Sequence, residues 1–477
     1  MELPRGTQRQ QKQAAPAARW MTKDELARRQ YRTGDILLGR DDDGVMIGAD
    51  DDRHIMTVAG SRAGKSSTCL KPNLAVWPSS VLCIDPKGEL AQETAEARAA
   101  MGQDVHILDP FGEVTGPAAR FRRTYDPLGE INAGRPDDII DNAALIADAL
   151  IVPDKEGSSD HWSLSAKNLL RGLILLAIYR NKKKNLPASL YVVREWITAP
   201  LGGDDTADTD TLWLTTLFKH MSELDAFSGV LAGVGGTMNG KPPNELGSIV
   251  STAVEQTAFL DSEPMQAHLA SSELSSLRVL KQKPTTIYLV LPASRMATHF
   301  RWLRTILTVA MAALENEPHQ LGKNRPVLFI LEEFPQLGYM RQLEAAAGLM
   351  AGYHVKLWTV LQDLSQLKSL YRDSWETFIG NAGVVQAFGN TDNTTLDYIS
   401  KSLGELHITE TQKTHSTASN MAAGSMKEQQ SKSVPLLAPF EVSQYCERST
   451  QRQIIMFAGK PPAYISRLTH EEVLNVR

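Results

Sequence analysis

The stretch 327–338, VLFILEEFPQLG, decides the fold of this chain. Its five apolar residues, 327–331, predict a strand of a parallel sheet that is covered on both faces. Two carboxylates, Glu332 and Glu333, follow at the point where such a strand leaves the sheet. Like charges that lose their water together repel strongly, so the pair predicts a nearby cation. Mg²⁺ with bound phosphates would supply that cation.

A second segment has the features of a phosphate-binding loop. The strand-like run 54–59 leads into the loop 59–66, AGSRAGKS, and a short helix is expected over 65–70, which Pro72 should kink or end. Such a loop needs backbone N–H groups, small residues and a helix N-terminus directed at the anion. The first glycine of the usual pattern falls on Ala59, and Gly60 is expected to relax the turn. We predict that nine residues bind the nucleotide: Ala59, Gly60, Ser61, Arg62, Ala63, Gly64, Lys65, Ser66 and Ser67.

The two segments together predict hydrolysis of ATP with Mg²⁺. Lys65 is expected to neutralise the charge that develops on the transferred phosphoryl group. Ser66 and Glu332 are expected to hold Mg²⁺, Glu332 through water. Glu333 is expected to orient or deprotonate the attacking water. Gln362 follows the predicted strand 355–361 and is placed to sense the γ-phosphate, which completes the predicted catalytic set of Lys65, Glu333 and Gln362.

Composition limits the other classes of function. The chain has 477 residues, of which 42% are apolar and 22% charged, which suits a large α/β domain with an additional domain. The net charge of −5 excludes a globally basic DNA-coating protein, so nucleic acid would be bound by a local patch or a lined channel. Three scattered cysteines fit a reducing cytosol. The apolar run at 172–179 is far shorter than the ~20 residues of a membrane helix, so we expect a cytoplasmic protein.

Alternation of strand and helix patterns predicts the domain organisation. Apolar strands at 81–85 and 105–109, spaced by helical stretches, indicate parallel βαβ units. Strand signals are nearly absent from about 135 to 265, where helices are expected at 137–150, 162–179, 190–198, 210–220 and 248–270. Strands resume at 285–291, a helix is expected at 301–314, and an edge strand at 454–457.

We therefore divide the chain into four parts. Residues 1–30 form a flexible basic arm, for which a solvated tail and contact with DNA, anionic lipid or a partner both stay open. Residues 31–134 form the first part of the nucleotide-binding domain, and 135–265 an inserted all-α domain. Residues 266–477 form the second part of the nucleotide-binding domain, which includes a polar segment at 407–433 that is expected to be a mobile loop.

Several segments in the same order resemble one family, the TraG-type coupling ATPases of conjugative type IV secretion. The similar segments span almost the whole chain: 18–22 (ARWMT), 57–67, 81–90 (VLCIDPKGEL), 327–338, 362–367 (QDLSQL) and 434–441 (VPLLAPFE). The family usually has Asp at the position of Glu332, and the longer side chain here is expected to alter the geometry around Mg²⁺.

The resemblance implies a RecA-like P-loop domain with a mostly parallel central sheet and an inserted all-α domain that faces the cargo. It implies a ring of subunits, a hexamer, that hydrolyses ATP between subunits around a central channel. The substrate would be single-stranded DNA attached to a relaxase, or a secreted protein, delivered to type IV secretion channel components. Family members usually begin with membrane-spanning helices, and none is visible in this sequence. A naturally soluble form and a removed anchor both stay open, with a peripheral location at the inner membrane.

Two alternatives remain at this point. One is a DNA-translocating ATPase of the same superfamily that acts outside conjugation. The other is a recruitment adaptor that binds nucleotide as a structural ligand without motor activity. Turnover of ATP with and without single-stranded DNA separates a motor from an adaptor.

Overall fold

The fold was analysed in a computed structural model of the chain. The structure describes residues 18–152, 161–186, 188–198, 212–322, 325–413 and 427–476.

A single twisted sheet of eleven strands forms the frame of the molecule, in the order β2-β1-β13-β12-β9-β3-β8-β7-β4-β6-β5. The seven strands from β9 to β5 are all parallel, and the four at the other end pair antiparallel. Two further strands, β10 and β11, form a separate antiparallel pair. The strands are β1 (Ile36–Arg40), β2 (Met46–Ala49), β3 (His54–Ala59), β4 (Val81–Asp85), β5 (Asp104–Leu108), β6 (Thr285–Val290), β7 (Val327–Leu331), β8 (Val355–Leu361), β9 (Ala382–Phe388), β10 (Glu405–Lys413), β11 (Lys427–Pro435), β12 (Arg452–Phe457) and β13 (Ala463–Ser466).

Helices cover both faces of this sheet, which is why its central strands are mostly apolar rather than alternating. The few polar residues inside them are buried, and the Thr57 hydroxyl of β3 donates to the Gln386 side chain of β9 at 3.0 Å. Successive residues of one strand enter different cores: Leu82 lies in one core and Cys83 in the other. The helices are α1 (Lys23–Ala27), α2 (Lys71–Val76), α3 (Glu89–Ala100), α4 (Leu128–Ala133), α5 (Ile139–Leu150), α6 (His161–Lys184), α7 (Leu190–Thr198), α8 (Leu212–Ser222), α9 (Val230–Asn239), α10 (Pro243–Gln256), α11 (Glu263–Leu269), α12 (Val279–Gln282), α13 (Ala293–Asn316), α14 (Arg341–Leu349), α15 (Leu364–Tyr371), α16 (Glu376–Gly380), α17 (Asn393–Leu403), α18 (Pro439–Tyr445) and α19 (His470–Val476).

The connection from β5 to β6 is helical: its described residues form α4 to α12 with turns between them. The helix expected over 248–270 is instead divided into α10, a 3₁₀ turn and α11, because the helix ends at Thr257 and Pro264 lies in the first turn of α11. The sequence analysis did not identify α9. Buried side chains of α5 to α10 belong to the same core as one face of the sheet. The domain boundaries at 135 and 265 therefore stay a prediction.

Pro72 does not end the helix after the phosphate loop. The segment Ser66–Leu70 is a wide π-helical turn, and α2 then begins at Lys71 and continues to Val76. Pro72 is the second residue of α2, so the helical path continues through the proline, and the hydrogen bonding changes from π-helical to α-helical just before it. The change of helix type accommodates the proline.

The polar segment 407–433 is not a loop where the structure describes it. Strands β10 and β11 pair from Glu405↔Pro435 to Lys413↔Lys427, and residues 414–426 lie outside the described residues. Backbone hydrogen bonds between two strands do not depend on apolar side chains, so the composition did not reveal the hairpin. The strand at 454–457 is also not at an edge, because β12 pairs with β9 on one side and β13 on the other.

The described part of the predicted N-terminal arm, 18–30, is attached to the sheet. The backbone N–H of Ala18 donates to the carbonyl of Glu405 at 3.0 Å, and that of Met21 to Pro462 at 2.8 Å. The Arg29 guanidinium lies 3.7 Å above the ring centre of Phe457. These contacts correct the prediction of a flexible arm for 18–30, while residues 1–17 lie outside the described residues.

Candidate functional site

The predicted site residues lie around one cleft at the carboxyl ends of four neighbouring strands. The phosphate loop follows β3, Gln362 follows β8, the acidic pair follows β7, and Asp85 ends β4. The cleft has a volume of about 480 Å³. Its lining includes most of the predicted phosphate loop together with both glutamates and the glutamine: Ser61, Arg62, Ala63, Gly64, Lys65, Ser66, Ser67, Glu332, Glu333 and Gln362.

The shape of the phosphate loop requires glycine at 60 rather than at 59. Ala59 is the fully buried last residue of β3. A Cβ atom on Gly60 would lie 1.9 Å from the carbonyl oxygen of Gly389, which is well inside van der Waals contact. Gly64 has a φ of 99°, a conformation that side-chain-bearing residues rarely adopt. The departure from the usual pattern at Ala59 is therefore compatible with the loop.

Lys65 extends from this loop towards the acidic pair. Its side chain is 9% exposed, and its Nζ lies 3.3 Å from Glu333 Oε1 and 3.4 Å from the carbonyl oxygen of Ala59. Glu333 has an exposed fraction of 19%, so the two charges meet in a partly desolvated position. The Lys65 ammonium group is thus held at the mouth of the cleft by one carboxylate and one carbonyl.

Ser66 and Glu332 are in direct contact, since the Ser66 hydroxyl donates to Glu332 Oε1 at 2.9 Å. Burial raises the pKa of the Glu332 carboxyl to about 7, and repulsion from Asp85 adds to the effect. Burial also raises the pKa of Asp85 to about 6, although the backbone N–H of Ala91 donates to it at 2.8 Å. An additional cation at this place would favour the charged forms of both carboxylates.

Asp85 is a site residue that the sequence analysis did not assign. The signal was present, because a buried strand that ends in a carboxylate, VLCID, repeats the pattern of β7. Strands β4 and β7 are neighbours, with Ile84 opposite Leu331, so Asp85 and Glu332 leave the sheet side by side. That adjacency is a property of the strand order, which the sequence does not state.

Glu333 has an unusual backbone conformation, with φ 53° and ψ 40°. A residue with a side chain is uncommon in this left-handed region, and such strain is frequent at functional sites. Here it separates the two neighbouring carboxylates, since Glu332 contacts Ser66 while Glu333 contacts Lys65. Gln362 Nε2 donates to both carboxylate oxygens of Glu333, at 3.2 and 3.1 Å. The glutamine therefore orients Glu333.

Four further cations line the cleft: Arg62, Lys71, Lys87 and Arg448. Lys71 is paired with Glu93 at 2.6 Å. Arg448 comes from the turn between α18 and β12, far along the chain, and no motif in the sequence marks it. The surplus of positive side chains over carboxylates in the lining makes the cleft suitable for a polyanion such as a triphosphate.

Two features are absent from the described ranges. No cluster of three or more His, Cys, Asp or Glu side chains in them has the arrangement of a metal site. None of the helices in those ranges has both the length and the apolar character that crossing a bilayer requires.

Comparison with known proteins gives relatives across most of the chain. The family model for "Type IV secretory system Conjugative DNA transfer" matches residues 8–470. The conjugal transfer protein TraG of Escherichia coli is 27% identical over 376 residues, which cover 76% of this chain and 57% of TraG. Protein VirD4 of Agrobacterium fabrum is 26% identical over 418 residues, which cover 87% of this chain and 58% of VirD4. The chain thus spans less than two thirds of the length of these relatives.

Solved structures of the bacterial conjugative coupling protein TrwB have the same fold. The unbound form has a TM-score of 0.67 at 15% identity and covers 95% of this chain and 94% of its own. TrwB in complex with the non-hydrolysable ATP analogue ADPNP has a TM-score of 0.65 at 16% identity, with 96% of each chain covered. TrwB in complex with ADP and Mg²⁺ has a TM-score of 0.62 at 15% identity, with 95% and 94% covered.

These similarities confirm the predicted RecA-like α/β fold with its mostly parallel sheet. They also confirm the resemblance to the TraG-type coupling ATPases that the sequence motifs indicated. Because the family model extends over nearly the whole sequence, this chain belongs to the type IV secretory system conjugative DNA transfer family.

Proposed function

We propose that this protein is an ATP-hydrolysing coupling protein, which recruits cargo and helps to move it into a type IV secretion channel. The observation that carries the proposal is the convergence of Lys65, Ser66, Glu332, Glu333 and Gln362 on one cleft. These residues come from three segments between positions 65 and 362, yet hydrogen bonds join Lys65 to Glu333, Ser66 to Glu332 and Gln362 to Glu333. A cation, a hydroxyl, two carboxylates and an amide are the groups that phosphoryl transfer from ATP needs.

The residues present fit a Mg²⁺ ion. Ser66 and Glu332 would hold it, Glu332 through water, and the ion would favour the charged forms of Glu332 and Asp85, whose pKa values are raised chiefly by burial. When bound, the ion would neutralise phosphate charge and act as a Lewis acid. The TrwB complex with ADP and Mg²⁺, on the same fold, supports this assignment.

The chain's own side chains would carry the remaining chemistry. The backbone of the loop 59–67 would bind the phosphates, and Lys65 would neutralise the charge of the γ-phosphoryl group as it transfers. Glu333 would orient the attacking water or accept its proton. Gln362 would keep the Glu333 carboxylate in position and respond to the γ-phosphate, since its amide bonds both oxygens of Glu333.

For the cargo we propose single-stranded DNA attached to a relaxase, or a secreted protein. The family description and the conjugal transfer role in the name of TraG support this class of cargo. We assign the helical part, 135–265, to contact with the cargo and the nucleotide-binding part to a ring of subunits, a hexamer, that surrounds a channel. The protein would work in the cytoplasm against channel components at the inner membrane.

Measurement of ATP turnover tests the proposal. The purified chain is expected to hydrolyse ATP, and faster with single-stranded DNA. Lys65→Ala should weaken ATP binding at least tenfold, because the cation that faces the phosphates is removed. Glu333→Gln should bind ATP within about twofold of the wild type but lose roughly 10²–10⁴ in kcat, which is the usual contribution of a general base.

The matched control is Lys283→Ala, which removes an exposed lysine paired with Asp104 at the amino-terminal side of β6, away from the cleft. It should leave turnover unchanged. Nucleotide binding without any turnover would favour the adaptor instead. Turnover by a protein encoded apart from relaxase and channel genes would favour a DNA motor outside conjugation. A chain with no affinity for ATP would refute the proposal altogether.

A further inference from the structure

The turn that carries Arg448 is fixed next to the phosphate loop. It follows α18 and is capped by the Glu447 side chain, which accepts a hydrogen bond from the N–H of Ser449. At its start the carbonyl of Cys446 accepts from the N–H of Gly389 at 2.8 Å. Gly389 in turn contacts the loop, because a Cβ on it would lie 2.6 Å from Ala63 Cβ. The turn and the phosphate loop are therefore held next to each other, because both contact Gly389.

A buried arginine connects the two directly. Arg467 follows β13 and is 2% exposed. Its Nη1 donates to the carbonyl of Ala63 in the phosphate loop, and its Nη2 donates to the carbonyl of Arg448 at 3.0 Å. The guanidinium lies 4.4 Å above the ring centre of Phe388, which fixes its plane. A single planar fork thus joins the phosphate loop to the turn.

The positive charge of Arg467 is only weakly balanced inside the protein, by the exposed carboxylate of Glu447. Within the part of the chain that the structure describes, Arg467 forms no direct ion pair, and its buried Nε has no hydrogen-bond partner. Burial lowers the pKa of its guanidinium from the ordinary value. A buried cation that lacks a direct ion pair is costly, and an anion bound in the adjacent loop would offset that cost. A Cβ on Gly64 would lie 3.3 Å from Arg467 Nη1, so the cation lies directly behind the loop.

Arg448 itself is exposed and lines the cleft together with the phosphate loop. No hydrogen bond or ion pair of its guanidinium to another described residue occurs, so the group is available to a ligand. A guanidinium presents a fork of donors that matches phosphate oxygens. Arg448 lies on the side of the phosphate loop opposite the acidic pair. The turn that carries it contacts the loops after β9 and β3, whereas Glu332 and Glu333 follow β7.

We infer that Arg448 binds a phosphate of the nucleotide held by the same chain, and that Arg467 is the positioning residue that keeps Arg448 there. The inference rests on the proposed function, because it assumes a nucleotide in this cleft. It adds a contact from the C-terminal strands to a site that the motifs place between β3, β7 and β8. Binding of a phosphate in the loop would then affect β12 and β13 through the two hydrogen bonds of the Arg467 guanidinium.

The first test measures binding of ATP and of inorganic tripolyphosphate by calorimetry. Arg448→Gln is expected to weaken both about tenfold, because one charge-assisted hydrogen bond is lost. Arg325→Gln is the control. Arg325 is also exposed, but it precedes β7 at the amino-terminal ends of the strands, opposite to the cleft. It should change neither affinity. An equal loss of affinity for ATP and for tripolyphosphate in Arg448→Gln supports a phosphate contact. An unchanged affinity, or loss for ATP alone, overturns the inference.

The second test asks whether Arg467 acts through Arg448. Arg467→Lys keeps the charge but not the fork, so the lysine cannot bond both carbonyls at once. In that background the further change Arg448→Gln should have less than a threefold effect on ATP affinity. A purely structural role of Arg467 would lower the melting temperature but preserve the tenfold effect of Arg448→Gln, and that result refutes the positioning role.

Failure of the proposed function and failure of the Arg448 contact give different experimental results. If wild-type protein binds neither ATP nor tripolyphosphate, the proposed function fails and this inference fails with it. If the wild type binds and Lys65→Ala does not, while Arg448→Gln binds as the wild type does, only the inference about Arg448 is refuted. If Arg467→Lys does not fold, the comparison of Arg448→Gln with Arg325→Gln still decides the phosphate contact.

Discussion

Replacement of Glu332 by glutamine is expected to stabilise the nucleotide-free protein at alkaline pH. The Glu332 carboxyl has a pKa raised to about 7 from 4.5, chiefly by burial and then by repulsion from Asp85. The folded state therefore binds this proton more tightly than the unfolded state does. Stability is lost as the pH rises from 4.5 to 7, and above 7 the full cost of the buried charge is present.

The difference between the two pKa values corresponds to about 3 kcal/mol, at roughly 1.36 kcal/mol per pH unit. Part of Glu332 still reaches solvent, and screening lowers the expected effect to about 2 kcal/mol. Glutamine has the same length, cannot ionise, and keeps an oxygen that can accept from Ser66. We therefore expect Glu332→Gln to raise the free energy of unfolding by about 2 kcal/mol near pH 8.5 and by about zero near pH 4.

Urea unfolding of the nucleotide-free protein, followed by tryptophan fluorescence at both pH values, measures the effect. Glu223→Gln is the control, because Glu223 is exposed and should give no change at either pH. The same Glu332 variant should require more Mg²⁺ to bind ATP, since a ligand of the proposed metal site is lost. Equal unfolding midpoints for Glu332→Gln and the wild type near pH 8.5, or an equal gain near pH 4, would refute the reasoning.

Three further outcomes are expected. Gly60→Ala should abolish ATP binding and lower the melting temperature, because its Cβ would lie 1.9 Å from the carbonyl of Gly389; binding as tight as in the wild type would contradict this. Ala59→Gly, which restores the usual loop pattern, should give no tighter ATP binding and cost about 1 kcal/mol of stability in urea unfolding, since it loosens a buried strand; a gain in affinity would speak against it. Gln362→Ala should lower kcat about tenfold and leave the ATP affinity within twofold, because the amide orients Glu333; steady-state kinetics that show only a change in affinity would rule it out.

The central strands were predictable from local sequence. Strands β3, β4, β7 and β8 have the predicted bounds, because a strand buried on both faces is mostly apolar and is followed by polar or turn residues. The hairpin of β10 and β11 and the short strand β13 were not predictable in the same way. Their pairing is made by backbone groups, and their side chains have no distinctive pattern.

The sequence by itself determined the phosphate loop, the acidic pair and Gln362 of the site. A buried strand that ends in two glutamates, and a glycine-rich loop followed by Lys65 and Ser66, are chemical requirements of phosphate and metal binding that appear in a contiguous stretch of chain. Gln362 was found for the same reason, since it directly follows a strand.

Only the tertiary structure decided which of these groups touch. The bond from Gln362 to Glu333, the adjacency of Asp85 and Glu332, and the fork of Arg467 between Ala63 and Arg448 all depend on the order of strands in the sheet. That order is fixed by packing between segments hundreds of residues apart, and no local pattern encodes it. Burial also sets the charge state of Glu332, because the cost of desolvation exists only once the sheet and its helices have assembled.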